Sequence, residues 1–161
     1  MNIKQQAHWP LALFVAFVFL QSLFFKFSNS PETIYIFQTK LDPWAASLGF
    51  TGLFAPGGIF SAKVIGSAEL MASMLILLGT FNQRRRNAQL LGSMLGLAVI
   101  SGAICFHLFT PLGVAVRNAD GSSDHGQLFA MACGVWVCCA ALVWIRRELL
   151  SNWLSRRDDG R

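Results

Sequence analysis

Charge is scarce in this chain. Charged residues make up 13% of it, against ~25% in an ordinary soluble domain. Too little charge is present to clothe a water-facing surface of this size, which excludes a conventional soluble fold. Cysteine pairing signals are missing as well. Cys105, Cys133, Cys138 and Cys139 form no CxxC and no metal-ligand spacing, so neither dithiol exchange nor a zinc site is indicated. Neighbours such as Cys138 and Cys139 project about 100° apart on a helix, a poor metal pair. All four cysteines read as buried small hydrophobes. There is no Gly-rich phosphate loop, no HExxH, and no pair of histidines placed to hold haem from facing segments. Low-complexity tracts and internal repeats are also missing. A small-residue cleavage site does not follow the first apolar run, where Lys26 and Phe27 stand instead, so that run is expected to stay in the protein as a span.

What is present is apolar. Hydrophobic residues make up 54% of the 161 residues, including 14 Phe and five Trp. A spanning helix needs about 20 mostly apolar residues. Four segments qualify: 9–27, 58–81, 88–110 and 128–145, followed by a basic tail at 146–161. The whole chain therefore reads as one all-α membrane domain, a four-transmembrane-helix bundle. Pro10 falls in the predicted first turn of the first span, where its missing N–H costs nothing. Trp9 and Trp144 lie at span ends, as interfacial aromatics do.

The net charge of +5 does not indicate nucleic acid, because the basic residues flank apolar runs and form no stripe with interleaved aromatics. Lys4, Arg84, Arg85, Arg86, Arg146, Arg147, Arg156, Arg157 and Arg161 fall on one side of the predicted membrane. Lys26, Lys40, Lys63 and Arg117 fall on the other. The positive-inside rule then predicts both termini and the arginine triplet in the cytoplasm.

Small residues mark helix contacts. Gly92-Ser-Met-Leu-Gly96 is a GxxxG, with Ala103 and His107 roughly in line, and Ala130, Gly134, Cys138 and Ala141 recur at helical spacing. These stripes are expected to pack within the monomer.

The outer connections carry more signal. Ser30-Pro31-Glu32 and Asp42-Pro43-Trp44 each read as a helix start, with Gly49 as a stop. Ile34, Phe37 and Leu41 between them predict a short amphipathic helix on the outer membrane face. The connection 111–127 reads as a polar, turn-rich solvent loop, with Asp124 a solvated residue or an N-cap for the last span.

Polar residues concentrate in the outer halves of the spans, while the inner halves look almost purely apolar. Glu69 lies near the middle of the second predicted span, with Gln21 and Ser101 at similar depth. Lys63, Lys26 and His107 lie higher. A carboxylate at the bilayer centre costs on the order of 3 kcal/mol, so Glu69 must face the interior and be paired or protonated. Lys63 is about 9 Å higher on a different face and reads as snorkelling to the headgroups. Lys26 is the expected partner, with His107 beside the pair. Phe24, Phe25 and Phe106 would supply apolar walls for a ligand with a polar head, such as a quinone.

The segments Leu20-Gln-Ser-Leu-Phe-Phe-Lys26-Phe27-Ser28, Pro31-Glu32-Thr-Ile-Tyr-Ile-Phe37, Gly66-Ser-Ala-Glu69 and Ser101-Gly-Ala-Ile-Cys-Phe-His107-Leu-Phe-Thr-Pro-Leu-Gly113 resemble the DoxX family of small bacterial membrane proteins. The likeness covers roughly residues 9–145. It implies a four-helix inner-membrane bundle, matches Lys26, Glu69 and His107 to recurring polar positions, and implies association with a membrane redox complex. The missing disulfide-exchange motif departs from a self-sufficient thiol oxidoreductase. Three functions follow as expectations: a redox-system membrane subunit with a quinone or lipid-like ligand at Glu69, Lys26, His107, Gln21, Ser101 and Lys63; a scaffold or assembly factor that binds a partner protein through its outer loops; and, last, a proton-coupled carrier, which the apolar inner halves disfavour.

Overall fold

Where water is absent, a long apolar run can satisfy its backbone only as a helix. The computed structural model is helical accordingly, and it describes residues 3–117 and 121–149, with side chains from residue 7 onward. The expectations placed on the Lys4 side chain, on residues 118–120 of the connection 111–127 and on the arginines of the tail beyond residue 149 lie outside what is described. Four helices are long and apolar enough to cross a membrane. They are α1 (Ile3–Phe27), α4 (Ala62–Phe81), α5 (Arg86–Phe109) and α6 (Gln127–Ile145). Between 22% and 39% of each span is buried inside the bundle, and the outward remainder carries Phe17, Phe24, Met74 and Val137. An outer surface of that kind is matched to lipid.

The four helices form a closed ring in which α1 packs on α4 and α6, and α5 packs on the same two. Their shared core is Val15, Phe19, Ala72, Ile76, Ile100, Val135, Cys139 and Leu142. The closest approach is between α4 and α5. A Cβ on Gly92 would lie 2.7 Å from the Leu75 Cβ and 2.8 Å from the Ala72 carbonyl oxygen, and one on Gly79 would lie 2.4 Å from the Gln89 nitrogen. The GxxxG is thus used inside the monomer, with Gly96 set against Phe19 and Cys139. In α6 the buried residues are Ala132, Val135, Cys139 and Leu142. The predicted small-residue stripe lies on their flank: Gly134 meets Phe14 of α1, and Ala130 is exposed. Of the four cysteines only Cys139 is buried, and Cys105 faces outward.

Several predicted boundaries move. Helix α1 begins at Ile3, so Pro10 is an internal proline and leaves the Gln6 carbonyl without its usual donor. Helix α4 starts at Ala62, where the Ser61 hydroxyl caps Val64 N. The stretch from Gly58 to Ser61 is not helical, with a turn at Ile59 and Phe60. Consequently Glu69 sits about 10 Å from the first residue of α4 and about 4 Å from its midpoint, displaced toward the Ser61 end.

The connection after α1 is helical from Pro31 to Ser47: α2 (Pro31–Ile34), a π-helical turn (Tyr35–Leu41) and α3 (Asp42–Ser47). Ser30 caps it through Thr33 N, and Gly49 ends it in a left-handed conformation, φ 91°. The wider π turn puts Thr33, Phe37, Leu41 and Ala45 on the buried face and rotates Ile34 out of it, so Ile34 is exposed. Asp42 does not cap a separate helix. Its carboxylate accepts from Phe54 N and ties the returning loop to the segment. The connection after α5 is not simply a solvent loop. Leu112 and Val116 are buried with Phe37, Leu41, Ala45, Phe54 and Ala62 in a second core that closes this end of the bundle. Asp124 organises the entry to α6 by accepting from Val116 N, Gly126 N and Leu128 N.

Candidate functional site

Ser22 and Lys26 are four residues apart near the end of α1, so they share a face. That face meets α4 at Gly66, whose hydrogen points at the Lys26 Cβ and the Leu23 and Phe27 side chains. One turn deeper on α4, Glu69 turns inward and is 5% exposed. The Lys26 ammonium donates to both carboxylate oxygens, at 2.6 Å to Oε1 and 2.5 Å to Oε2. The Ser22 hydroxyl lies 2.7 Å from Glu69 Oε2 and 2.8 Å from the Phe19 carbonyl oxygen, and Lys26 Nζ also donates to it at 3.2 Å. One turn below, the Ser73 hydroxyl donates to the Glu69 carbonyl oxygen.

The result is a neutral ion pair with a bridging hydroxyl, sunk between two helices that are each long and apolar enough to cross a membrane. Pairing satisfies the carboxylate where an isolated charge would be expelled. Lys26 is the more open partner, with its side chain 15% exposed against 6% for Glu69. A cation at the open end and a carboxylate behind it can donate to one polar atom of a ligand and accept from another.

The remaining candidates go elsewhere. His107 Nδ1 is hydrogen-bonded to the Gly113 carbonyl oxygen at 2.7 Å, and its ring meets Phe129 edge-on at 5.6 Å. It therefore pins the loop after α5 against α6 and makes no hydrogen bond to Glu69 or Lys26 among the described residues. Gln21, one position off the Ser22 face, is exposed. The Ser101 hydroxyl donates to Leu97 O and accepts from Trp136 Nε1, which joins α5 to α6. Lys63 is exposed at the start of α4 and lines a concavity of about 30 Å³ with Asn29, Gln38 and Ser61. The expected aromatic walls are not around the pair either. Phe24 and Phe25 face outward, and Phe106 packs edge-on with Phe54 at 5.2 Å in the second core. Ser22 is the member that sequence reading missed. Its signal was the four-residue spacing to Lys26.

A second polar cluster lies at the opposite, arginine-bearing end, where the inner halves were expected to be apolar. His8, Thr80 and Gln89 are buried there. The Thr80 hydroxyl donates to Ile76 O, Gln89 Nε2 donates to Thr80 Oγ1 at 2.7 Å, and Arg146 Nε donates to Gln89 Oε1 at 2.6 Å. Gln83 Nε2 lies 3.3 Å from His8 Nε2. Residues from α1, α4 and α5, the α4–α5 turn and the residue that follows α6 thus meet in one chain of hydrogen bonds. These amides and hydroxyls carry no net charge and fit inside otherwise apolar runs, so hydropathy passes over them.

Among the described residues no group of histidine, cysteine and acidic side chains could hold a metal ion. Comparison with sequence-family models, characterised proteins and solved structures finds no match.

Proposed function

We propose that this protein is the membrane subunit of a bacterial inner-membrane redox system of the DoxX kind, and that the Lys26–Ser22–Glu69 triad receives the polar head of a quinone-like lipid. Both termini are cytoplasmic in this reading, and the triad lies in the outer leaflet. The observation that carries it is a carboxylate 5% exposed and held by a lysine between two helices. Intramembrane ionisable residues are costly and mark ligand or proton sites. A quinone carbonyl accepts from the Lys26 ammonium, and a quinol hydroxyl donates to Glu69. Glu69 would then take one of the two protons released as the quinol is oxidised, the other passing to water and the two electrons to the electron-accepting partner subunit of the redox system. The ligand enters as Lys26, in the last turn of α1, turns from the carboxylate toward the headgroups.

Quinone titration of the purified protein in nanodiscs tests this, with Glu69→Gln and Lys26→Met alongside. Saturable binding is expected, weakened roughly tenfold or more in each variant, as for loss of a hydrogen bond to a charged group. An unchanged affinity in both variants would sink the reading.

A second reading is favoured by the cap, which exposes Leu48, Phe50, Ile59 and Phe60. A scaffold would hold its partner protein there. In that case Phe50→Ala and Ile59→Ala abolish partner capture, while Glu69→Gln leaves it intact.

A further inference from the structure

The arginine-bearing end holds a cation whose surroundings are unlike those of an ordinary positive-inside residue. Arg146 follows directly on α6, and it is drawn back against the bundle instead of extending into water. Its Nε donates to Gln89 Oε1 at 2.6 Å, and one terminal nitrogen makes a long 3.5 Å contact to Gln83 Oε1. Gln89 is fully buried and is oriented from behind by Thr80. The amide oxygen that fixes the guanidinium is thus set by the contact of α5 with α4.

Both partners of Arg146 are neutral. Among the described residues neither Arg146 nor Arg86 makes an ion pair, and Arg86 stands one helical turn before Gln89, the residue that holds Arg146, on the same side of α5. Burial first, and the Arg86 charge second, push the Arg146 guanidinium below its usual range. Two guanidiniums held near each other without a carboxylate are an arrangement that an anion relieves. The exposed Arg84 and Arg85 directly precede Arg86, and the start of α5 has no acidic residue in its first turn. A guanidinium fork suits phosphate oxygens in particular.

We propose that Arg146 and Arg86 bind the phosphate of an anionic phospholipid at the arginine-bearing end of the bundle. The level of the site selects the lipid over free phosphate. Trp9 packs edge-on with Phe81 at 5.0 Å, and the Arg147 guanidinium lies 4.1 Å from the Trp144 ring centre. Such aromatics mark the headgroup layer, and Arg146 sits between Trp144 and the α4–α5 turn at that same level. The phosphate would bridge the end of α6 to the start of α5. This site lies at the other end of the bundle from the triad, so its failure would leave the quinone reading untouched.

The test uses the full chain in nanodiscs of phosphatidylcholine doped with phosphatidylglycerol, with bound lipid counted by native mass spectrometry after release into detergent. Arg86→Gln changes an exposed residue and keeps the fold; Arg146→Lys keeps the charge and removes the fork; Arg146→Gln removes both. Phosphatidylglycerol should be retained over phosphatidylcholine. Apparent affinity should fall roughly fivefold for each positive charge removed, with Arg146→Lys intermediate between wild type and Arg146→Gln. Millimolar inorganic phosphate should not compete. Retention that is indifferent to headgroup, or equal in wild type, Arg86→Gln and Arg146→Gln, overturns the proposal. Full competition by inorganic phosphate assigns the site to a free anion and overturns the lipid. The same measurement on an Asp158→Asn, Asp159→Asn chain covers the remaining occupant. Binding seen only in that variant means the chain's own carboxylates fill the site, which also overturns the lipid.

Discussion

Glu69 and Lys26 depend on each other. Removing one partner of a buried pair leaves an uncompensated charge and costs about 3–5 kcal/mol, whereas replacing both with apolar groups is often neutral. Lys26→Met alone should therefore destabilise the protein by about 3 kcal/mol, and the Lys26→Met, Glu69→Leu double change by much less. Thermal unfolding of the four members of this cycle in one detergent checks the coupling. Additive losses would mean that the pair contributes nothing as a pair. Asp124 is a different kind of hub, since it accepts three backbone N–H groups at the entry to α6. Asp124→Ala should cost about 2 kcal/mol, whereas Asp124→Asn keeps the acceptor and should cost less. The pairing of Lys26 with Glu69 was legible because a carboxylate in an apolar run needs a cation nearby. The place of His107 was not, because its acceptor is a backbone carbonyl six residues on, which carries no residue-type signal.

Among the elements, the α4–α5 contact rests on absent side chains. A methyl on Gly92 would meet backbone and Cβ atoms that cannot yield, so Gly92→Ala should force the helices apart and cost about 2 kcal/mol or more. Gly66 also lies on a helix interface, but a Cβ there would be 3.4 Å from the end of the Leu23 side chain. Gly66→Ala should be neutral, or stabilising by up to about 1 kcal/mol from helix propensity. Comparing the two unfolding temperatures under one condition separates close approach from mere glycine content. The segment from Pro31 to Ser47 shows the limit of periodicity. Its start and stop were readable from Ser30, Pro31 and Gly49, but an α-helical period places Ile34 on the buried face. The π turn at Tyr35–Leu41 changes that period, and its inward residues are selected by the second core, which long-range contacts build.

For the whole molecule, the buried chain from Thr80 through Gln89 to Arg146 ties α4, α5 and the end of α6 at the arginine-bearing end. Gln89→Leu leaves Thr80 and Arg146 without that partner, and should cost about 2–3 kcal/mol. Hydrogen exchange should then quicken at the last turn of α6 before it quickens at the Val15 and Ile76 core. The proposed orientation has its own check. In a cysteine-free background, Ser47→Cys should react with a membrane-impermeant maleimide in intact spheroplasts, and Asn82→Cys should react only after lysis. The reverse pattern would invert the topology.

Hydropathy and charge placement by themselves determined that four helices cross the membrane, and they divided the basic residues between its two sides. Those properties depend on length, composition and order along the chain, which lipid and backbone hydrogen bonding read directly. Only the tertiary structure decided which face of each helix turns inward. It chose Ser22 over Gln21, turned Phe24 and Phe25 outward, seated Leu112 and Val116 in the cap, and buried a neutral polar chain in runs that look apolar. Lipid is as apolar as the bundle core, so no hydrophobic contrast marks the inward face in the sequence. That choice falls to close packing and hydrogen-bond geometry, which exist only once the helices have met.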